Sequence, residues 1–162
     1  MPNSHRILRS LAVYLCVAVL VLATFVAHGS RISLVGSWSQ PIGSSLLTGG
    51  PGTGIRSPIE SDPVQATISI SDTDQAAWCV KVRQVSADMP TDVLLAVKRT
   101  TDGVGQGSIL GGQNYLVIGE TEQILFEGIG DRSEIGLQYK LEGVTILQGQ
   151  GRHGSTLLYR VE

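Results

Sequence analysis

Strict alternation of apolar and polar residues over short stretches is the feature that most constrains this chain. In the segment 78–83 (WCVKVR) every second residue is apolar, and the segment 135–141 (IGLQYKL) repeats the pattern. Successive side chains of a strand point to opposite faces, so this period predicts strands that are buried on one face and solvated on the other. We expect a second strand at 93–98, joined to 78–83 by a short polar turn containing Pro90, and we expect the later strands to pack on this pair.

Runs of the same kind recur along the chain after residue 29, and no helical period interrupts them. Asp, Gly and Ser residues, which favour turns, separate them. This spacing predicts an all-β fold, an immunoglobulin-like (Greek-key) β-sandwich of about eight strands, preceded by an N-terminal hydrophobic helix. The further predicted strands are 32–38, 64–71, 115–118 with 123–126 as a hairpin, 144–147 and 156–161.

The alternation also selects the side chains that should form the core, because residues in phase within a strand share a face. Gln138 and Lys140 have the opposite phase and are expected to face solvent. The predicted core residues are Ile68, Ile70, Trp78, Val80, Val82, Leu95, Val97, Leu137, Tyr139, Leu141, Leu157 and Tyr159.

Composition and charge narrow the class of partner. Only 16% of the 162 residues are charged and 20 are glycine, which favours strands and turns over helices. All 14 acidic residues follow residue 29, whereas two of the 12 basic residues, Arg6 and Arg9, precede it. The remainder therefore carries 10 basic against 14 acidic residues, a net charge of −4. This balance gives no electrostatic footprint for nucleic acid.

The N-terminal residues 1–29 have the pattern of a secretory signal peptide. Arg6 and Arg9 precede an apolar run at 11–27, and the small-x-small triplet Ala27-His28-Gly29 follows it. A charged start, an apolar middle and a small-residue end are typical of a cleaved signal peptide. We expect cleavage between Gly29 and Ser30.

The alternative to cleavage is an uncleaved membrane anchor. The apolar run of 17 residues reaches the lower limit of the ~17–25 residues that span a bilayer. The basic residues before it would stay inside and the domain would lie outside. Both hypotheses place the domain across the membrane, secreted or anchored. Cys16 is not a lipoprotein site, because Leu15 stands where a small residue would be needed.

Residues 30–63 are expected to form the first strand followed by a Gly/Pro/Ser-rich loop, and residues 64–162 the main body of the sandwich. Proline removes ladder donors and glycine adds backbone entropy, so the segment 40–63 should be mobile or draped over the surface, with a short strand near 44–48. The glycine-rich segment 49–54 lacks the lysine and the following helix of a phosphate loop.

Cys79 is the single cysteine after residue 29, so no internal disulfide is expected. A free cysteine usually behaves as a small hydrophobe. The alternatives are an intermolecular disulfide or a reactive thiol, since Lys81 and Arg83 share its face and cationic neighbours favour a reactive thiol.

Other residue types that carry chemistry are sparse. Asp72 and Asp74 resemble part of a calcium loop but lack its other ligands, and a turn explains them. His153, near Ser155 in a glycine-rich bend, forms neither a catalytic triad nor a zinc site. The glycines of 101–108 precede no helix, so they predict a turn and not a dinucleotide site. We therefore predict no catalytic, cofactor-binding or metal-binding residue, and no enzyme.

The C-terminal segment resembles the ends of secreted bacterial proteins of the pilin-like and spore-coat-U-like sandwich families. The similarity covers Tyr139-Lys140-Leu141-Glu142-Gly143-Val144, a glycine-rich bend, and Ser155-Thr156-Leu157-Leu158-Tyr159-Arg160-Val161. The chain lacks the disulfide that many fimbrial subunits have. The resemblance implies an extracytoplasmic structural role and transfers no functional residue.

The function predicted from these patterns is that of an exported, non-catalytic cell-envelope or extracellular structural and interaction protein. The alternative is an extracytoplasmic glycan- or ligand-binding module, which would need exposed aromatic side chains. The candidates are Trp38, Tyr115 and Tyr139, of which the last two are in phase with core positions. Exposure of Trp38 separates the two hypotheses.

The final strand, 156–161, is the candidate contact with a protein partner or with a second copy. Its outward residues Thr156, Leu158 and Arg160 include one apolar residue and one charge, which is weak protection for an edge strand. The alternative is that it pairs inside its own sheet. We predict no nucleic-acid partner, and membrane contact only through 11–27 if that segment is uncleaved.

Overall fold

A computed structural model describes residues 29–49, 53–148 and 151–162. In these residues the chain is mostly strand and forms two antiparallel sheets, which confirms the all-β, sandwich-like prediction. The predicted N-terminal hydrophobic helix falls on residues outside the described ranges. Within those ranges, no helix has both the length and the apolar character needed to cross a membrane.

The strands are more numerous than predicted because several have only two residues. In chain order they are β1 (Arg31–Gly36), β2 (Ile59–Glu60), β3 (Ala66–Ser71), β4 (Ala77–Asp88), β5 (Leu94–Arg99), β6 (Val104–Gly105), β7 (Ile109–Leu110), β8 (Leu116–Val117), β9 (Gln123–Ile129), β10 (Arg132–Glu142) and β11 (Gly154–Val161). Single 3-10 turns occupy Ser44–Leu46 and Ile146–Gln148.

The strands divide into a seven-stranded sheet and a four-stranded sheet. The order in the first, sheet one, is β1-β3-β10-β5-β8, with β2 and β6 also paired to β10. The order in the second, sheet two, is β11-β4-β9-β7. In the described structure the chain therefore passes from one sheet to the other at seven connections, namely β3 to β4, β4 to β5 and every connection from β6 to β11.

Two predicted pairings are wrong for this reason. β4 and β5 do not pair, since β4 has β11 and β9 as neighbours whereas β5 has β10 and β8. β8 and β9 likewise lie in different sheets instead of forming a hairpin. The short segments between these strands carry the chain across the sandwich, and alternation within a strand contains no information about which edge it joins.

The core lies between the two sheets, and most of its residues are those that the alternation of apolar and polar residues predicted. Trp78 and Phe126 meet edge to face, with ring centroids 6.2 Å apart and planes at 80°. Leu95, Leu141, Leu157 and Tyr159 are only partly buried, the last two because their strand is outermost in its sheet. The other predicted core residues are buried, and Ile59, Ala66, Ala96, Ile118, Leu125, Phe126 and Ile135 are buried with them.

Several local predictions require correction. Gln138 was expected to face solvent but is only 7% exposed, because its side-chain amide donates a 2.9 Å hydrogen bond to the carbonyl of Ser61. That contact belongs to β2 and the residues after it, which pair with β10, so this part of the predicted loop is built into sheet one. The expected strands near 44–48 and at 144–147 are 3-10 turns instead, the first closed by an isolated bridge between Leu47 and Ile55.

The chain enters and leaves the sandwich at the same end. Arg31 of β1 lies opposite Ser71, the last residue of β3. Val161 of β11 lies opposite Val80, close to the start of β4. Since residues 72–76 join β3 directly to β4, the start of β1 and the finish of β11 share one end, which we call the entry end.

Candidate functional site: the open seam

β11 is the outermost strand of sheet two and pairs only with β4 in the part of the chain that the structure describes. Just beyond the ladder, Glu162 and Cys79 exchange two backbone hydrogen bonds of 3.1 and 2.8 Å. Hydrogen-bonded and non-hydrogen-bonded pairs alternate along an antiparallel ladder. Arg160 and Leu158 therefore direct their backbone groups toward β4, whereas those of Tyr159 and Leu157 point away from the sheet.

The side chains of β11 alternate in the same way across the two faces. Leu157, Tyr159 and Val161 pack against the core. Leu158 and Arg160 lie on the outer face, where Leu158 is 42% exposed. The edge therefore combines unpaired backbone groups with an exposed apolar side chain at its centre.

The charges around this edge are paired with one another. The guanidinium of Arg160 lies 3.4 Å from the Glu122 carboxylate and also contacts Glu162. Glu162 in turn pairs with Lys81 of β4. Two cations and two carboxylates thus neutralise each other locally. The usual protection of an edge by unpaired charge is weak here.

β1 lies beside β11, at the edge of sheet one, and its exposure was not predicted from the sequence. It pairs with β3, and no ladder joins it to β11 in the described ranges. Leu34 is 42% exposed and Val35 is 71% exposed. We call β1 and β11 together the open seam.

Beneath the open seam, three aromatic side chains connect the two sheets. Trp38 stacks on Tyr139 with ring centroids 6.3 Å apart and planes at 12°. The Tyr139 hydroxyl lies 3.3 Å from that of Tyr159. Burial raises the pKa of both tyrosine hydroxyls. Trp38 is thus partly buried and packed against the core, with one ring stacked on it, which weakens the hypothesis of a glycan platform.

Tyr115 is placed differently from its prediction, because it is not a member of the core cluster. The ammonium groups of Lys98 and Lys140 lie 4.4 and 4.3 Å from its ring centroid. Both lysines alternate with inward residues of their strands, so this cluster occupies the outer face of sheet one. Burial, followed by the negative charge of Glu60, raises the pKa of the Tyr115 hydroxyl to about 12.

The structure does not bring the remaining sequence candidates together. Cys79 is half-buried on the outer face of sheet two. Asp72 lies 3.1 Å from Arg31, and His153 is exposed. No group of three or more His, Cys, Asp or Glu side chains within 29–49, 53–148 and 151–162 is placed to hold a metal ion. Ser155 accepts a 2.7 Å hydrogen bond from Gln84.

Sequence reasoning missed two buried arginines near the glycine-rich segment 101–108. Arg99 is 4% exposed, donates to the Gly111 carbonyl at 2.9 Å and pairs with Asp102. Arg132, 8% exposed, donates to the carbonyls of Asp102 and Gly107. These arginines bind backbone carbonyls, so they hold the segment in place. The glycines beside these strand ends were the available signal for the two arginines, because turns leave backbone carbonyl groups that buried side chains must satisfy.

The described surface also has an open depression of about 360 Å³ beside the C-terminal half of β4. It is lined by Arg83–Ala87 and Glu120. β4 continues here beyond its last pairing with β9 at Val82. No aromatic residue lines the depression, so it lacks the stacking surface that the glycan hypothesis needs.

Comparison of the chain with protein-family models, with curated proteins and with solved structures finds no match.

Proposed function

We propose that this chain is an exported, non-catalytic cell-envelope or extracellular protein that acts by contacting other protein chains through the open seam. The observation that carries the proposal is the edge of β11, whose backbone groups at Leu157 and Tyr159 have no strand partner in the described structure. A strand added at such an edge gains backbone hydrogen bonds along its length, and pockets or apolar neighbours add specificity. Leu158 supplies the apolar neighbour here.

The export part of the proposal rests on residues 1–29, with a basic start, an apolar run and a small-x-small triplet. It includes a bacterial, secreted or membrane-anchored location and a hydrophobic N-terminal helix. It also includes the immunoglobulin-like, Greek-key class of sandwich, which the seven connections that change sheet support. Cell fractionation with N-terminal sequencing tests export. We expect a chain outside the cytoplasm that begins at or near Ser30, and a full-length soluble chain in the cytoplasm would exclude both export hypotheses.

The alternative function, glycan or ligand binding, has weaker support. Trp38 stacks on Tyr139 and packs against the core, and Tyr139 itself is buried. The ring of Tyr115 is flanked by Lys98 and Lys140. All three candidate aromatics are thus partly or fully covered by other residues of the chain, which weakens the case for stacking on a sugar.

The interaction part of the proposal is tested by site-specific photo-crosslinking in the producing cells. A photoreactive amino acid at Leu158, in the full chain, should give a protein adduct. The same amino acid at Leu110 is the matched control, because Leu110 is an exposed leucine at the opposite edge of the same sheet. Adducts of equal yield at both positions, or at neither, would contradict a specific contact through β11.

A further inference from the structure

The pattern of β11 restricts the registers in which another strand can pair with it. Only residues with outward backbone groups form hydrogen-bonded pairs across a new ladder, and in β11 these include Leu157 and Tyr159. The β11 strand of a second copy, running antiparallel, can form such pairs. Tyr159 of each copy then lies opposite Leu157 of the other copy. In this register Leu158 lies opposite itself.

The register centred on Leu158 also matches the side chains on the outer face. The two Leu158 side chains, each 42% exposed, would cover one another. Because they form a non-hydrogen-bonded pair, their Cα atoms would be ~4.5 Å apart, the closer of the two antiparallel spacings. On the inner face, the partly buried Leu157 would be covered by Tyr159 of the other copy.

The charges of the edge are compatible with this register. Arg160 would lie opposite Thr156 of the second copy, and Glu162 opposite Gly154, so no like charges face each other directly. Arg160 is already paired with Glu122 and Glu162 within its own chain. The register centred on Tyr159 is less favourable, since it sets Leu158 opposite Arg160 and brings the two Arg160 side chains diagonally together.

We propose that the partner at the open seam is a second copy of this chain, with the two β11 strands antiparallel and Leu158 on the two-fold axis. The inference rests on the proposed function and specifies its partner. The two copies of sheet two would form one continuous sheet, and the contact is isologous, as in most homodimers.

Cysteine crosslinking tests this register in the full chain with Cys16 and Cys79 replaced by serine. Leu158→Cys should give a disulfide-linked dimer on mild oxidation, since ~4.5 Å between Cα atoms lies within the range that a disulfide bridges. Arg160→Cys is the matched control, two residues along the same face and opposite Thr156 instead of itself, and it should give several-fold less dimer. Mixing the Thr156→Cys and Arg160→Cys chains should restore crosslinking. Dimer formation by Arg160→Cys alone, or by no variant, would overturn the proposal.

The photo-crosslink at Leu158 separates this inference from the proposed function. An adduct of twice the chain mass that contains only this sequence supports both. An adduct with a different protein, together with no disulfide dimer, overturns self-pairing and leaves the proposed function standing. Absence of any adduct overturns both. In light scattering, the Leu158→Lys chain should have the mass of a monomer at concentrations where the unsubstituted chain is a dimer. A monomeric unsubstituted chain at all concentrations would also dispose of the inference.

Discussion

The two seams where the sheets meet are built in opposite ways. On one side the chain passes from β7 in sheet two to β8 in sheet one and returns to β9, a region that we call the closed seam. Backbone groups at this seam are hydrogen-bonded. The Arg99 N–H donates to the Gly112 carbonyl at 2.6 Å, and the Ile118 N–H donates to the Leu95 carbonyl at 2.9 Å. On the other side, β1 and β11 are neighbours without a ladder in the described structure.

This fold therefore protects the strand edges of one seam and leaves those of the other exposed. The edge strands of the closed seam have two residues each. The connection from β7 to β8 depends on Gly112, which has a left-handed φ of 72°. Any other residue there would place its Cβ 2.9 Å from the Leu125 carbonyl oxygen. The open seam ends in strands of six and eight residues. Very short edge strands are a known protection against pairing with other chains, and long ones invite it.

The largest expected effect concerns the core that both seams enclose. Leu137 of β10 is fully buried, and Leu137→Ala should lower the free energy of unfolding by about 2–5 kcal/mol through lost burial and a residual cavity. Urea denaturation measures it. Leu158→Ala, at the open seam, is the control and should change the monomer's stability by less than about 0.5 kcal/mol. A loss below about 0.5 kcal/mol for Leu137→Ala would mean that the assigned inward face of β10 is wrong.

The same substitution at the two seams compares them directly. Arg99→Met removes a buried guanidinium that bonds the Gly111 carbonyl and Asp102, and it should cost about 1.5–3 kcal/mol. Arg160→Met removes an exposed ion pair and should cost less than about 1 kcal/mol. Equal costs in urea denaturation would show that the closed seam is not held by its buried arginine.

A smaller effect is expected on the outer face of sheet one, away from both seams. Lys140→Ala removes an ammonium 4.3 Å from the Tyr115 ring and should cost about 0.5–1 kcal/mol. A lysine that simply faces solvent, as alternation predicts for Lys140, would change the stability by no more than about ±0.5 kcal/mol, because alternation does not reveal the ring beside it. A double-mutant cycle with Tyr115→Leu isolates the contact, and additive effects would show that the lysine and the ring do not interact.

The smallest effect is a pH dependence at the entry end. The Thr73 hydroxyl and amide donate to Asp131 at 2.7 and 3.0 Å, which lowers the pKa of that carboxyl. A lowered pKa stabilises the fold above the ordinary value of about 3.9, and this contribution is lost as pH falls through the folded-state pKa. Thr73→Val should therefore destabilise the protein at pH 7 and less so at pH 3.

Thr156→Val, at the open seam, is the control for this measurement. Thr156 is exposed, so its replacement should have the same small effect at both pH values. A Thr73→Val effect of equal size at pH 7 and pH 3 would contradict a role for the bond in the titration of Asp131.

The sequence predicted the strands well and their arrangement poorly, for a physical reason. Alternation reports which face of a strand is buried, so Trp78, Val80 and Val82 were assigned correctly. Pairing depends on where short connections cross the sandwich, which no local pattern contains. Tyr115 shows where alternation fails as a guide to burial. It was counted as part of a strand at 115–118, but the strand in the structure begins only at Leu116, so the phase of Tyr115 says nothing about its burial.

Of the two strands of the open seam, only β11 was predictable as a contact site from the sequence. The residues of β11 already showed one apolar and one charged outward side chain. The sequence left open whether this strand lies at an edge or inside its sheet, and in the structure it is outermost. The exposure of Leu34 and Val35 on β1 was not predictable, because their exposure depends on β1 having β3 as its single ladder partner. An apolar pair at the start of a domain has the same local pattern whether a neighbour covers it or not.

The shared entry end has a consequence for the proposed pair of chains. In the antiparallel β11 pair, Val161 of one copy lies opposite Ser155 of the other, so the two Val161 residues are separated by about 20 Å along the strands. The two entry ends of the proposed pair then face in opposite directions along the shared sheet. Under the hypothesis of an uncleaved anchor, two copies in one bilayer would pair only with the shared sheet flat along the membrane, whereas copies in two facing bilayers would pair end-on.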